Sequence, residues 1–368
     1  MQQKLNLAVI GLGKMGLSHH SMINAHPRVN VAAVCDSAGY VLDVLNKYTG
    51  VLTYTDFDEM LREVKLDAVI IATPSIMHSK MVRSALDKGL HVFCEKPFCL
   101  DTKEGEEVTR IANEKGLVNQ VGYHNRFVGA FQEVKRLIDS KAIGEVTHVL
   151  AEAYGPVVLK SKASTWRTQR SQGGGCLYDY AAHPLNLVNW YLGEPRGVGG
   201  SVLNKIFSQD TDDEVFGTLY YEDGKSAQIS VNWSDESYRK MSTMITIWGT
   251  NGRIYADRQE CQAYLRDDIS APIGYQKGWN VRYTTDITEP VWFYLRGEEY
   301  SSQLDYFVRS IEENSASVNV NSFEEAMKTD RVISMMIADA EKGTSLSSDD
   351  TLPRVAMKKK NWLSYFSG

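Results

Sequence analysis

Several features that would place a protein in a specialised class are missing from this chain of 368 residues. No apolar run approaches the roughly 20 residues that a membrane-spanning helix needs. The formal net charge is −6, which gives no general affinity for nucleic acid or for anionic membranes. The sequence has no internal repeat and no low-complexity segment, and its one compact basic run, Lys358–Lys360, is interpreted as a solvated tail.

Cysteine is scarce, and the five residues form no Cys-x-x-Cys pair. They are Cys35, Cys94, Cys99, Cys176 and Cys261. An odd number of cysteines in mostly apolar contexts predicts reduced, packed thiols in a reducing compartment rather than a disulfide framework. The sequence also enters a strand pattern within a few residues, without a basic-then-apolar leader. We therefore expect a cytoplasmic protein.

What the chain does contain is an ordinary globular composition, 43% apolar and 23% charged. Its length allows two domains with real cores. Alternating strand and helix patterns up to residue 124 predict an N-terminal α/β domain, a doubly wound parallel sheet of the Rossmann type. Hairpin signals and helices then predict a C-terminal α+β domain, residues 125–368, on a large and mostly antiparallel sheet. One uncovered face of that sheet favours a homodimer or homotetramer.

The opening of the chain combines a buried strand, Leu5–Ile10, a Gly-x-Gly-x-x-Gly turn, a helix and a second strand. In this context the turn predicts a dinucleotide-binding site. The first glycine allows the tight turn, the second lets the backbone approach the pyrophosphate, and the third lets the helix pack close to the strand. The helix N-terminus then favours phosphate. The cofactor-binding residues expected here are Gly11, Gly13, Lys14, Met15 and Gly16.

Asp36, at the end of the second strand, decides the expected cofactor. A carboxylate in this position accepts hydrogen bonds from the ribose hydroxyls and repels a 2′-phosphate. No Arg or Lys follows within Ser37–Tyr40. The sequence therefore favours NAD over NADP.

A short strand, His91–Cys94, ends abruptly in Glu95, Lys96 and Pro97. Ligands of an open parallel sheet bind outside the carboxyl ends of its strands. A Lys placed there is partly removed from water, so its neutral form is easier to reach and it can exchange a proton with a substrate hydroxyl. Taken alone, the motif is also typical of an ion pair in solvent.

A second candidate unit follows Gly173–Gly175, where Asp179 and His183 lie four residues apart and share one helix face. A His beside a carboxylate is a common acid–base pair, in which the negative charge favours the imidazolium and orients the ring. The spacing alone is also typical of a surface pair or a helix-capping contact.

Together, the glycine motif, the Glu-Lys-Pro strand end and the later Asp–His helix resemble the Gfo/Idh/MocA (glucose–fructose oxidoreductase/inositol dehydrogenase) family. The resemblance extends over most of the chain and includes Ala72–Pro74 with His78, Gly122–Phe127, Ile143–Glu145 and Trp166-Arg167. It implies a two-domain NAD(P)-dependent enzyme, often a dimer or tetramer, that acts on sugars, cyclitols or other small polar compounds. It also implies that three catalytic residues surround the substrate carbon beside the nicotinamide: Lys96, Asp179 and His183.

Further site residues are expected from their place at strand ends or from the same resemblance. The expected cofactor contacts outside the glycine motif are Asp36, Thr73, Pro74, His78, Glu95 and Lys96. The residues expected to contact a polyol substrate are Tyr123, Asn125, Arg126, Tyr154, Trp166 and Arg167. Either Arg126 or Arg167 is also suited to a carboxylate or phosphate. No metal site is predicted, because the histidines lack further ligands.

The leading interpretation is an NAD-dependent dehydrogenase that transfers a hydride between the nicotinamide and a secondary alcohol of a sugar, cyclitol or sugar nucleotide. The sequence leaves open whether Lys96 or His183 takes the hydroxyl proton. One alternative is an NADPH-dependent reductase of another carbonyl or imine compound, which Asp36 argues against. Another is a non-catalytic, nucleotide-binding regulatory protein of the same fold, which would not need to keep all three catalytic residues. The expected partner is a small sugar-like molecule, not nucleic acid or membrane.

Overall fold

A computed structural model of the protein describes residues 4–159, 166–288, 292–293, 298–316 and 319–343. The strands of the first sheet are β1 (Leu5–Ile10), β2 (Val29–Cys35), β3 (Leu52–Tyr54), β4 (Ala68–Ile71), β5 (His91–Cys94) and β6 (Asn119–Val121). The helices between them are α1 (Lys14–Asn24), α2 (Gly39–Thr49), α3 (Phe57–Glu63), α4 (His78–Asp87) and α5 (Thr102–Glu114).

All six strands are parallel, in the order β3-β2-β1-β4-β5-β6. The order reverses between β1 and β4, so the crevice for a ligand opens at the carboxyl ends of these two strands. Strands buried on both faces read as continuous apolar runs, and Leu7, Ala8 and Val9 of β1 are fully buried. The expected doubly wound sheet is confirmed. The sequence analysis missed β3, because three residues are too few to show a periodicity.

The second sheet is larger and mostly antiparallel, as expected. Its strands are β7 (Val146–Tyr154), β8 (Gly197–Asn204), β9 (Glu214–Tyr220), β10 (Ser226–Asn232), β11 (Met244–Gly249), β12 (Gly252–Ala256), β13 (Glu260–Leu265) and β14 (Gly278–Tyr283). They run in the order β14-β13-β12-β11-β7-β10-β9-β8, and the β7–β10 pair is parallel. The later helices are α6 (Gly129–Asp139), α7 (Ala182–Leu192), α8 (Thr284–Ile287), α9 (Glu298–Glu312) and α10 (Phe323–Lys342).

Alternation along the strands gives this sheet two different faces. In β7, Val149, Ala151 and Ala153 are fully buried in the core that α7 also joins. The residues between them point to the opposite face. That face, called here the open face, also carries an aromatic pair on β13 and β14, Tyr264 and Trp279, whose ring centroids lie 5.3 Å apart.

Helix α9 follows the second sheet in the chain but packs on the first. Its residues Leu304, Phe307 and Val308 are fully buried in one cluster with Leu7 and Val9 of β1. A single cut near residue 124 would assign α9 to the second domain, whereas its apolar face belongs to the core of the first sheet.

The helix expected to carry Asp179 and His183 begins differently from a regular α-helix. Residues Leu177–Ala181 form a π-helical turn, and α7 continues from Ala182. Such single wide turns occur often at functional sites. All five cysteines are buried and free. Within the described ranges, no helix is long and apolar enough to cross a membrane.

Candidate active site

Lys96 crosses from the first domain to the second. It lies two residues after the end of β5, and its Nζ donates hydrogen bonds to the backbone oxygen and to Oδ1 of Asp179, both at 2.8 Å. Both side chains are largely shielded from solvent. The strand end and the π-helical turn therefore meet, as the sequence analysis expected of these two motifs.

Asp179 also binds a second cation. The Nε atom of Arg167 donates to Oδ2 of Asp179 at 2.9 Å, and the Arg167 guanidinium lies 4.8 Å from the centre of the Trp166 ring. Burial acts to raise the pKa of Asp179, but the charges of Lys96 and Arg167 and their hydrogen bonds lower it to about 2. The carboxylate is therefore ionised at neutral pH and holds Lys96 and Arg167 on its two oxygens.

The sequence predicted that His183 pairs with Asp179, but the two side chains are not hydrogen-bonded to each other in the structure. The carboxylate oxygens are taken by two cations, which attract a carboxylate more strongly than a neutral imidazole does. Burial lowers the pKa of His183 well below its usual range, and the nearby charges of Lys96 and Arg258 lower it further. His183 is therefore a neutral imidazole, able to accept a proton. No sequence signal pointed to Arg258, which lies in the turn between β12 and β13.

His124 lies beside His183, with ring centroids 4.9 Å apart. The His124 ring also stacks on Tyr300 of α9, with ring centroids 4.4 Å apart. Burial lowers the pKa of His124 well below its usual range. The two histidines thus form a buried and uncharged pair at the end of the loop that follows β6.

The glycine motif forms a cradle at the carboxyl end of β1. A Cβ atom on Gly11 would come within 2.7 Å of the Ala72 carbonyl, and one on Gly16 would lie 1.6 Å from the Gly11 oxygen. A Cβ on Gly13 would meet nothing within 4 Å, so this side of the turn is open. Helix α1 begins at Lys14 without a side-chain cap or an acidic residue in its first turn. Its first N–H groups therefore suit a pyrophosphate.

A cleft of about 480 Å³ continues from this cradle. Four of the expected cofactor residues line it: Gly11, Asp36, Thr73 and Pro74. Asp36 is fixed there by the backbone, since the N–H of Leu12 donates to Oδ2 and that of Ala38 donates to Oδ1 at 2.7 Å. The residues present therefore fit the adenosine half of a dinucleotide, with a carboxylate held at the position for the ribose hydroxyls.

Two residues expected to contact the cofactor have close partners within the protein. His78 is fully buried, and its ring nitrogens face the carbonyl oxygens of Thr73 at 3.0 Å and Pro97 at 2.9 Å. Glu95 is buried and its Oε1 lies 2.6 Å from Nε2 of His19. Burial opposes ionisation of Glu95, but the hydrogen bond and charge of His19 keep its pKa below the usual value. In the structure, these polar atoms of His78 and Glu95 have partners within the protein.

Arg126, expected to contact substrate, is also a structural residue. Its Nε donates to Oδ1 of Asn186 at 2.8 Å, and its Nη1 donates to the Val320 oxygen and to Glu325. The side chain is fully buried, and every guanidinium nitrogen has a protein partner. The guanidinium was expected to point into the cleft, whereas it joins α7 and α10.

Tyr154 lies on the open face of the second sheet, not in the cleft. Its hydroxyl donates to Glu152 at 2.8 Å and lies 3.0 Å from the Ser230 hydroxyl on the neighbouring strand. Alternation along β7 places it opposite the buried residues that face α7. Tyr154 therefore lies on the face of the sheet opposite to α7.

The remaining predicted substrate residues lie near the two histidines or Asp179. Tyr123 is buried, with its ring 6.3 Å from that of His183. Asn125 is buried as well, and its amide nitrogen and oxygen have no hydrogen-bond partner among the described residues. Trp166 packs on Arg167 as described above. The structure thus brings Lys96, Asp179, His183 and Arg167 together and separates Arg126 and Tyr154 from them.

A Rossmann sheet with a fitted nucleotide cradle, next to a buried Lys–Asp pair and a neutral histidine, defines an NAD(P)-dependent oxidoreductase. Residues 5–123 match the model of the Gfo/Idh/MocA oxidoreductases with an NAD-binding Rossmann fold, and residues 131–255 match a C-terminal domain of the same family. The chain belongs to the Gfo/Idh/MocA family.

Individual relatives fit this placement. A 2,7-anhydro-N-acetylneuraminate hydratase of Escherichia coli is 28% identical over 71% of this chain and 70% of its own length. An NAD-dependent scyllo-inositol 2-dehydrogenase of Bacillus subtilis is 27% identical over 69% of this chain and 74% of its own. Levoglucosan dehydrogenase in complex with NADH shares the fold, with a TM-score of 0.81 at 21% identity over 92% of this chain and 98% of its own.

Proposed function

We propose that the protein is an NAD-dependent dehydrogenase that transfers a hydride between the nicotinamide and a secondary alcohol of a sugar, a cyclitol or a sugar nucleotide. The observation that carries this proposal is the ion pair between Lys96, which follows β5, and Asp179, which lies in the turn leading into the helix of His183. Lys96 follows β5, which lies next to β4, and Thr73 and Pro74 follow β4. A substrate carbon held between the ends of these two strands would be within reach of a cofactor bound in the cleft.

Each residue has a distinct role in this reaction. When bound, the nicotinamide supplies the hydride acceptor. Lys96 has three N–H groups, and with two of its hydrogen bonds directed to Asp179 it presents a further donor to the substrate oxygen, where it stabilises developing negative charge. Asp179 fixes the position of the ammonium. Arg167 holds the other carboxylate oxygen in place.

His183 is the proposed proton acceptor. A general base must be unprotonated at the working pH, and the lowered pKa of His183 meets that requirement. Lys96 donates to an ionised carboxylate as an ammonium, so it has no free pair to accept a proton. The sequence left open the choice between Lys96 and His183, and these two observations support His183.

Substrate class and cofactor preference are supported by different observations. Relatives named for an inositol and for a glucoside suggest a polyol substrate. Trp166 with Arg167 offers an aromatic and a cationic surface beside Asp179. The fixed carboxylate of Asp36 supports NAD rather than NADP, because a 2′-phosphate would lie against a negative charge. We also propose that the protein assembles as a homodimer or homotetramer through the open face of the second sheet.

The test is an assay with NAD⁺ and a panel of cyclitols, sugars, glycosides and UDP-sugars. Two quantities are followed together: absorbance of the reduced cofactor, and loss of the substrate by chromatography. Oxidation of an alcohol changes both in equal amounts, whereas a hydration, the activity for which one relative is named, consumes substrate without net reduction. The proposal would be contradicted if the protein binds NAD⁺ but oxidises no alcohol of the panel with either NAD⁺ or NADP⁺.

A further inference from the structure

The loop that presents Lys96 lies outside both sheet and helix. Its backbone groups must therefore find partners elsewhere, because a buried N–H or C=O without one is costly. On one side the Nδ1 atom of His78 lies 2.9 Å from the Pro97 oxygen and 3.2 Å from the Phe98 oxygen. Proline has no N–H, so the donors of this turn are the amides of Phe98 and Cys99.

Both amides lie close to a single carboxyl group, that of Asp330 on α10. The N–H of Cys99 donates to Oδ2 at 3.0 Å, across a sequence separation of 231 residues. The N–H of Phe98 is near enough to lower the pKa of the same carboxyl group. Asp330 is only 2% exposed, so this contact lies inside the protein.

Asp330 interrupts the apolar face of α10, on which Met327 and Ile333 are buried one turn to either side. The apolar part of the same face holds the loop as well, since Phe323 stacks on Phe98 with centroids 4.2 Å apart. An acid in such a stripe needs a specific partner, because an unpaired carboxyl is costly to bury. The loop amides are that partner.

The residue before Asp330 reaches the other half of the site. The hydroxyl of Thr329 accepts hydrogen bonds from Asn186 at 3.3 Å and from Asn189 at 3.4 Å. Both asparagines lie on α7, the helix that carries His183. One turn of α10 therefore touches the loop of Lys96 on one side and the helix of His183 on the other.

We propose that Asp330 is a positioning residue that holds the Lys96 loop in register with the helix of His183. It touches neither substrate nor cofactor and acts through the amides of Phe98 and Cys99. Its effect on turnover rests on the proposed dehydrogenase function, whereas its effect on the loop does not.

The protonation state of Asp330 gives the proposal a signature that a purely structural acid would lack. Burial raises the pKa of Asp330 to about 7, although hydrogen bonds from the Cys99 and Phe98 amides and the charge of Arg331 act against it. An ionised carboxylate accepts an N–H bond about twice as strongly as a neutral group. The loop should therefore be held more firmly above about pH 7 than below it.

The other ionisable groups around Asp330 do not share this transition. The groups that face it are Cys94, Cys99, Tyr123, Tyr178 and Arg331, with His78 on the far side of the loop. Burial raises the pKa of each of these cysteines and tyrosines, so they stay neutral near pH 7. Arg331 stays charged, paired with Glu194. Burial keeps His78 neutral by lowering its pKa.

The experiment compares the full-length wild-type protein with Asp330→Asn, which keeps an acceptor oxygen but cannot ionise. Asp339→Asn is the matched control, because Asp339 on the same helix accepts a hydrogen bond from a backbone amide, that of Ser201 at 2.7 Å, away from the site. The first readout is hydrogen exchange at Phe98 and Cys99, which needs no substrate. We expect about tenfold faster exchange in Asp330→Asn at pH 8, and no change in the control.

The second readout is kcat between pH 6 and pH 8.5, with Kd for NAD⁺ measured alongside. The ratio of wild-type to Asp330→Asn kcat should be near one at the acid end and rise to about ten above pH 7, with Kd unchanged. Equal exchange rates, or a kcat ratio that is flat with pH, would overturn the proposal. If no substrate turns over, the proposed function fails, but the exchange measurement still tests the proposed role of Asp330. If Asp330→Asn does not fold, exchange at Cys99 in the wild-type protein decides, since its protection factor should rise through about pH 7.

Discussion

Asp179 shows how the charge of a single residue is set by its neighbours. A buried carboxylate is normally destabilised, yet two cations approach its two oxygens at 2.8 and 2.9 Å. The attraction outweighs the cost of desolvation, which keeps its pKa near 2. The same geometry leaves His183 without a carboxylate partner, and burial lowers the pKa of this histidine well below its usual range. These local contacts therefore support different roles for the two side chains, with Lys96 as hydrogen-bond donor and His183 as proton acceptor.

This pairing predicts a loss of stability in acid. The pKa of Asp179 lies below its unfolded value of 3.8, so the folded state binds fewer protons. The stabilisation is present above pH 3.8 and is lost as the pH falls through about 2. It amounts to about 2 kcal/mol at neutral pH. Urea denaturation of wild type and Asp179→Asn should show a gap in unfolding free energy at pH 7 that narrows at pH 3. A gap that is constant with pH would contradict the ion pair.

Removing either proposed catalytic side chain should reduce turnover by roughly 10²–10⁴-fold. Lys96→Met removes the donor to the substrate oxygen, and His183→Ala removes the base. The Kd for NAD⁺ should stay close to normal, because neither residue lines the cleft at Asp36. Steady-state kinetics and fluorescence titration measure the two quantities. Lys88→Met, an exposed lysine at the end of α4, is the control and should keep full activity. Wild-type turnover in both catalytic variants would remove the mechanism's support.

Cofactor choice should depend on Asp36. Asp36→Ala removes both the acceptor for the ribose hydroxyls and the repulsion toward a 2′-phosphate, so NAD(H) should bind more weakly and NADP(H) relatively better. The two Kd values are measured by titration of each reduced cofactor. Tighter binding of NADP(H) than NAD(H) by the unaltered protein would refute the proposed preference.

The candidate site could be predicted from sequence where a motif fixes both the backbone and the side chain. Gly11, Gly13 and Gly16 follow from the local geometry of a turn, and Lys96 follows from a strand end. Arg126 and Tyr154 show the limit. Their residue types suit a polyol, but which way they point depends on α10 and on the strand register, and neither is encoded near them in the chain.

At the scale of elements, the loop after β6 is held by contacts to two helices. Arg126→Met should lower the free energy of unfolding by about 3–5 kcal/mol, because it leaves the partners of a buried guanidinium unsatisfied. Urea denaturation checks this. The matched control is Arg110→Met, which breaks an exposed i,i+4 pair with Glu114 and should cost less than about 0.5 kcal/mol. If Arg126 bound substrate instead, KM would rise and stability would hardly change.

The elements themselves were largely predictable, because both sheets follow simple patterns. Continuous apolar runs predicted the strands of the first sheet, and their alternation with helices predicted that these strands are parallel. The π-helical turn at Leu177–Ala181 was not predictable, since its sequence has no helix-breaking residue and is typical of an ordinary helix. Nor was the destination of α9, because an amphipathic helix shows that one face is buried but not against which sheet.

At the scale of the whole molecule, the two sheets share helices rather than a simple linker. Helix α9 completes the core of the first sheet, and α10 contacts both the Lys96 loop and α7. This arrangement fixes the two halves of the site relative to each other. Within the described residues of one chain, the open face of the second sheet has no comparable part in positioning the site.

The open face leads to the last prediction. Trp279 on β14 is 58% exposed, beside Tyr264 and Val281, and such exposed apolar clusters mark interaction surfaces. We expect sedimentation of the wild-type protein at a multiple of 41.3 kDa. Trp279→Arg should shift the equilibrium toward monomer, because a buried, unpaired charge opposes self-association. Tyr40→Arg alters a residue that is 80% exposed on the first domain and should leave the assembly unchanged. A wild-type monomer at micromolar concentration, or equal behaviour of the two variants, would show that the chains do not meet through this face.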